Sequence, residues 1–139
     1  MYLDTSVLVT ALTSEQATLQ VQDWFNQRRN ELFCISDWVI TEFASALSGK
    51  LRSGHMSPQA RAASANLFAQ MIEESLTVVP VGRSHFQAAS RYVERHDLGL
   101  RAADALHLAI AAGRHEVIAT RDKHLAEAAL TLGVLAELV

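Results

Sequence analysis

Hydrophobic positions along this chain change period several times, and the changes divide it into elements. Tyr2-Leu3 is a short apolar run ending at Asp4 and reads as a strand. From Ser14, a hydroxyl able to cap a helix, Ala17, Val21, Trp24 and Phe25 fall at helical spacing. Phe33-Cys34-Ile35 is a second strand-like run. Ser36 or Asp37 then caps a helix carrying Val39, Ile40, Phe43, Ala46 and Leu47. Ser53-Gly54-His55-Met56 reads as a turn, and Ser57-Pro58 opens another helix, with the hydroxyl as cap and proline at the first helical position. Its expected buried stripe is Ala63, Leu67, Met71 and Ile72.

Leu76-Thr77-Val78-Val79, β-branched and bounded by Pro80, predicts a third strand. A helix with Phe86, Ala89 and Val93 follows and ends near Gly99. A further helix runs from about Ala102 to Gly113. Val117-Ile118-Ala119 predicts a fourth strand ending at Thr120. Leu125, Ala128, Ala129 and Leu132 mark a helix that stops at Gly133, and Val134-Leu135-Ala136 makes a short last strand. Strands separated by helices imply right-handed crossovers and a parallel sheet. Strands that are apolar throughout imply a sheet covered on both faces. The expected fold is therefore α/β: a three-layer α/β/α domain over residues 1–139 with a central parallel sheet of four to five short strands.

Such sheets place their functional crevice beyond the carboxyl ends of the strands, and that rule picks out acids. Asp4 ends the first strand, Asp122 lies just past the fourth, Asp104 falls in the first turn of a helix, and Glu42 lies about one turn into the helix after the second strand. Each has a plainer reading. Asp4 can be the N-cap of the next short helix, a task open also to Thr5 or Ser6. Glu42 can face solvent on an amphipathic helix, although Val39, Ile40, Phe43 and Ala46 surround it. Asp104 and Asp122 can be first-turn acids favoured by the helix dipole, with Thr120 as the cap before Asp122. Asp104 stands among Ala102, Ala103, Ala105 and Leu106, where a carboxylate needs a partner or a cation.

Carboxylates that converge repel and raise one another's pKa unless a cation joins them. An oxygen-only set favours hard cations, Mg²⁺ or Mn²⁺. Zinc is disfavoured, because Cys34 stands alone and no histidine pair has finger or HExxH spacing. The chain has 139 residues, half of them hydrophobic and 19% charged, enough for one core and inconsistent with disorder. Its formal net charge of −3 excludes nucleic-acid binding by bulk charge, so any such binding uses a local patch, a metal or a partner. A lone cysteine, no signal-like start and no membrane-spanning run lead to the expectation of a cytoplasmic location.

Three motifs then carry a resemblance: Tyr2-Leu3-Asp4-Thr5-Ser6-Val7-Leu8-Val9, Leu98-Gly99-Leu100-Arg101-Ala102-Ala103-Asp104-Ala105-Leu106-His107-Leu108-Ala109, and Thr120-Arg121-Asp122-Lys123-His124-Leu125. With Glu42 in Val39-Ile40-Thr41-Glu42-Phe43 at the remaining acidic position, the chain resembles the PIN domain family, specifically the VapC-like toxins of toxin–antitoxin modules, over nearly its whole length. The Asp-Ala-Leu-His-Leu-Ala run is the more specific signal. One departure is a further acid of some members, replaced here by Lys123 and His124.

The resemblance implies a single PIN domain and an endoribonuclease, with Asp4, Glu42, Asp104 and Asp122 holding one or two Mg²⁺ or Mn²⁺ ions. Metal-activated water would hydrolyse RNA phosphodiesters in line, leaving a 5′-phosphate and a 3′-hydroxyl. Thr5, Ser6 and Thr120 would orient carboxylates, and Arg101, with Arg121 and Lys123, would meet the RNA backbone. It also implies a cognate VapB-like antitoxin and a homodimer. His107, one turn after Asp104, reads as a packed histidine bonded to backbone, with contact to phosphate or metal-bound water as the alternative. Trp24 and Trp38 have core or interface spacing rather than that of base-stacking platforms. Two rival readings are a catalytically silent PIN-like RNA- or protein-binding module and a receiver-like phosphoacceptor, the latter poorly served by a first strand with Asp4 alone.

Overall fold

The computed structural model describes residues 1–139. Five strands and seven helices alternate: β1 (Tyr2–Leu3), α1 (Thr5–Leu12), α2 (Thr18–Gln27), β2 (Phe33–Ser36), α3 (Asp37–Arg52), α4 (Pro58–Glu74), β3 (Leu76–Val79), α5 (Arg83–Glu94), α6 (Ala102–Gly113), β4 (Ile118–Thr120), α7 (Lys123–Thr131) and β5 (Ala136–Leu138), with a single 3₁₀ turn at His96–Leu98. The strands form one parallel sheet in the order β3-β2-β1-β4-β5, between helical layers. Tyr2 and Leu3, both 0% exposed, sit at its centre, as expected for a strand covered on both faces. No helix is long and apolar enough to cross a membrane.

The order positions the site. The chain starts at the centre of the sheet, builds outward through β2 and β3, then returns to the other side of β1 for β4 and β5. The connections leaving β1 and β4 therefore diverge, and a crevice opens between them at the carboxyl ends. Leu3 pairs with Ala119, so Asp4 and Thr120 are the next residues on adjacent strands.

Several sequence expectations are corrected. Ser14 caps nothing: α2 begins only at Thr18, because the Thr18 hydroxyl donates to the Thr13 carbonyl and accepts from the Glu15 N–H, holding the intervening residues in a turn. The buried positions of α4 are Ser64 and Phe68; of the expected stripe, Met71 and Ile72 pack partly buried against the core, whereas Ala63 and Leu67 are exposed, Leu67 to 51%. The helix turns that way because Phe68 stacks on Phe43 of α3, with ring centroids 4.2 Å apart, and Ser64 donates to the Leu12 carbonyl. On α5 only Ala89 is buried, while Phe86 and Val93 are exposed; the helix ends at Glu94 and the chain reaches Gly99 through the 3₁₀ turn. The last strand is Ala136–Leu138, two residues later than expected at its start, because Ala136 pairs with Ile118. Trp24 is structural: its indole N–H donates to Glu137 at 2.7 Å, Arg28 covers its ring, and Phe25 and Phe33 pack against it.

Candidate functional site

Asp4 occupies the N-cap position of α1, yet its carboxylate caps no backbone amide. It turns instead to the adjacent strand end. Oδ2 accepts from Ser6 Oγ at 2.5 Å and from Thr120 Oγ1 at 2.8 Å. Ser6 is itself fixed, since its oxygen accepts the Arg121 N–H at 3.0 Å, and Thr120 Oγ1 accepts the Asp122 N–H at 3.0 Å. Two hydroxyls, each tied to backbone, thus orient one carboxylate that is only 6% exposed. Thr5 does the same for Glu42, donating to Oε2 at 2.5 Å. Glu42 therefore faces inward from α3 and is not on the solvent face.

Asp122 does cap α7. Its Oδ1 accepts the His124 and Leu125 N–H groups at 2.8 and 3.1 Å, so Asp122, and not Thr120, is the N-cap. Asp104 projects from the first turn of α6. Asp4, Thr5, Ser6, Glu42, Asp104, His107 and Asp122 all line one cavity of about 360 Å³ at the strand ends. Thr120 lies behind it, 0% exposed, acting through Asp4. Arg101 does not line it: the residue is exposed at the N-cap of α6. A larger cavity of about 460 Å³ lies among α3, α5 and α6, with Trp38 on its wall, but its lining is almost wholly apolar and offers no group of titratable side chains.

The expected backbone contact of His107 is also corrected. The ring is 1% exposed and binds side chains only: Nδ1 lies 2.8 Å from the Tyr2 hydroxyl, and Nε2 lies 2.6 Å from Glu42 Oε2 and 3.3 Å from Asp4 Oδ1. Tyr2 continues the chain to Ser36 Oγ at 2.9 Å. Tyr2 and Ser36 were visible in the sequence only as a strand residue and a helix cap. The strand alternation that turns Tyr2 toward α6 depends on which helix covers which face, and periodicity does not state that.

Charge in the cavity is unbalanced. Burial, then the charge of Asp122, hold the Asp104 carboxyl above its usual range; a backbone hydrogen bond at Arg101 opposes them and Asp4 adds to the rise. For Glu42, burial acts to raise the pKa but is outweighed by the hydrogen bond and charge of His107 and by the Thr5 hydroxyl, so the group lies below its usual range. One donor atom each from Asp4, Glu42 and His107 lie within 4.8 Å of one another. A divalent cation fits the pocket by the chemistry of its donors, since Asp4, Glu42, Asp104 and Asp122 line it with carboxylate oxygens, the ligands that hard cations favour.

A family model described as PIN domain matches residues 1–130. Among solved structures, the chain is similar to FitAcB from Neisseria gonorrhoeae, with a TM-score of 0.69 at 21% identity over 97% of this chain and 94% of that one. It is similar to VapC20 from Mycobacterium tuberculosis, a sarcin–ricin loop cleaving toxin, with a TM-score of 0.73 at 17% identity over 91% and 93% of the two chains. VapBC2 from Rickettsia felis, solved bound to a DNA fragment from its promoter, gives a TM-score of 0.71 at 15% identity over 99% and 96%. No curated protein sequence matches the chain. At these identities the structural likenesses establish a common fold.

Proposed function

Because this chain belongs to the PIN domain family, we propose that it is a metal-dependent endoribonuclease acting as the toxin of a VapBC-like toxin–antitoxin pair. The observation that carries the reading is the meeting of Asp4, Glu42, Asp104 and Asp122 in one cavity at the carboxyl ends of β1 and β4. These acids would hold Mg²⁺ or Mn²⁺, a choice favoured by their oxygen donors. A divalent ion there supplies Lewis acidity for water activation and charge to balance the developing phosphoryl and leaving oxygens.

The protein's own part is orientation. Ser6 and Thr120 hold Asp4 through Oδ2, and Thr5 holds Glu42 through Oε2. Their other oxygens would be left for the ion. Arg101 and Lys123 are exposed at the starts of α6 and α7, the helices that carry Asp104 and Asp122, and would contact RNA phosphates. Residues 1–139 would act as one domain. A cognate VapB-like antitoxin and a second copy of this chain are the expected partners, in keeping with neighbours solved as VapBC and FitAB assemblies. The setting is cytoplasmic, where the RNA substrate is found.

The test is cleavage of a mixed RNA pool by the purified chain, free of antitoxin, with Mg²⁺ or Mn²⁺, with EDTA, and with the Asp4→Asn/Asp104→Asn double variant. Cutting that requires metal and is lost in the variant is the expected result. Folded wild-type protein that binds RNA or a partner and cuts nothing under any condition would point instead to a silent binding module.

A further inference from the structure

We propose that His107 is a positioning residue of the acidic pocket: it fixes Glu42 and Asp4 by donating one hydrogen, and it is not itself a ligand of the cation. The inference rests on the metal-dependent reading above and deepens it.

An ionised carboxylate has acceptor sites only, and Glu42 Oε2 already accepts from the Thr5 hydroxyl. A separation of 2.6 Å between His107 Nε2 and Glu42 Oε2 therefore requires a hydrogen on Nε2. The same N–H faces Asp4 Oδ1 at 3.3 Å. In the neutral tautomer with its hydrogen on Nε2, Nδ1 accepts from the Tyr2 hydroxyl at 2.8 Å, and the Tyr2 oxygen accepts from Ser36 Oγ at 2.9 Å. Ser36 is held in turn by the Val39 N–H at the start of α3. Tyr2 is suited to the donor role, since burial keeps its phenol well above the ordinary range, Ser36 opposing and the charges of Asp4 and Glu42 adding. The chain Ser36–Tyr2–His107 thus runs from the end of β2 through β1 to the pocket and locks the ring from behind.

Two consequences follow. A nitrogen that carries a hydrogen toward Glu42 has no lone pair for a metal, so the ligand set stays oxygen-only and suited to a hard cation. In addition, Oε2 of Glu42 is occupied by both His107 and Thr5, which leaves Oε1 as the oxygen presented to the cavity. A histidine present only to fill space would need neither the Tyr2 contact nor the carboxylate contact.

Mn²⁺ is the probe. The wild-type chain loaded with Mn²⁺ is examined by pulsed EPR for the ¹⁴N coupling of a directly bound imidazole, and Mn²⁺ affinity is measured by calorimetry for wild type, His107→Leu, His107→Gln and Tyr2→Phe. Circular dichroism and melting check each fold. Expected are no directly bound nitrogen, a loss of roughly 10–100-fold in affinity for His107→Leu, and a value nearer wild type for His107→Gln, whose amide N–H reaches the same carboxylate. Tyr2→Phe should fall between them. A direct ¹⁴N coupling in the wild type would overturn the inference, as would unchanged affinity in folded His107→Leu. Failure of the wild type to bind Mn²⁺ at all would overturn the metal-dependent reading itself, and the role of His107 with it. The two failures are therefore separable.

Discussion

Thr120 and Asp4 are 116 residues apart in the chain, and the Thr120 hydroxyl donates to Asp4 Oδ2 at 2.8 Å. Parallel pairing of β1 with β4 brings them together, and the same hydroxyl accepts the Asp122 N–H, so one buried side chain braces two of the pocket acids. Thr120→Val, close to isosteric, should cost about 1–3 kcal/mol of stability through the unsatisfied amide and lower RNA cleavage by roughly 10–100-fold. Urea denaturation and cleavage kinetics check the two effects. Unchanged kinetics in a destabilised variant would remove Thr120 from the pocket's support.

Asp122 combines capping with charge, and substitution separates them. Asparagine keeps a cap oxygen for the His124 and Leu125 amides, whereas alanine does not. Asp122→Ala should lose about 0.5–2 kcal/mol, and Asp122→Asn should stay near wild type in stability. Both should lose cleavage. Equal melting temperatures for the two variants would show that the cap contributes nothing.

Asp104 should destabilise the metal-free fold once ionised. Its folded pKa is raised, by burial first and then by Asp122, so the folded state holds the proton to higher pH than the unfolded chain does. Stability then falls as pH climbs from the ordinary carboxylate range through the raised folded value, and the penalty is complete above it. In EDTA, Asp104→Asn should melt above wild type at neutral pH, and the advantage should shrink in acid. Saturating Mn²⁺ should erase it by stabilising the wild type. A difference independent of pH would refute the assignment.

Phe68 and Leu67 are neighbours on α4 with opposite fates. Phe68, 5% exposed, stacks on Phe43, while Leu67 is 51% exposed. Phe68→Ala should cost about 3–5 kcal/mol and Leu67→Ala no more than about 0.5 kcal/mol, measured by chemical denaturation.

What the amino-acid order determined alone is what depends on local period and local chemistry. The apolar runs at Tyr2-Leu3, Phe33–Ile35 and Val117–Ala119 specified strands inside a parallel sheet, because a strand covered on both faces must be apolar on both, while Leu76–Val79, with Thr77 exposed, was legible by its β-branched residues as the edge strand it forms. The Ser57 cap was legible because a cap is satisfied within a few residues, and of the two candidates Ser36 and Asp37 the structure takes Ser36. The rule that the crevice lies at the carboxyl ends of the strands picked out Asp4, Glu42, Asp104 and Asp122, and all four line one cavity there. Only the tertiary structure decided the rest. The face of α4 that turns inward was set by Phe43, a residue on another helix. Whether an acid caps, binds or faces water was set by partners far away in the chain: Thr120 for Asp4, Thr5 and His107 for Glu42. The place of His107 in the pocket, and the line from it through Tyr2 to Ser36, exists only after β1, β2 and α6 have packed together. Periodicity records which side chains must leave water, and hydrogen bonds between distant elements are made only by the geometry that results.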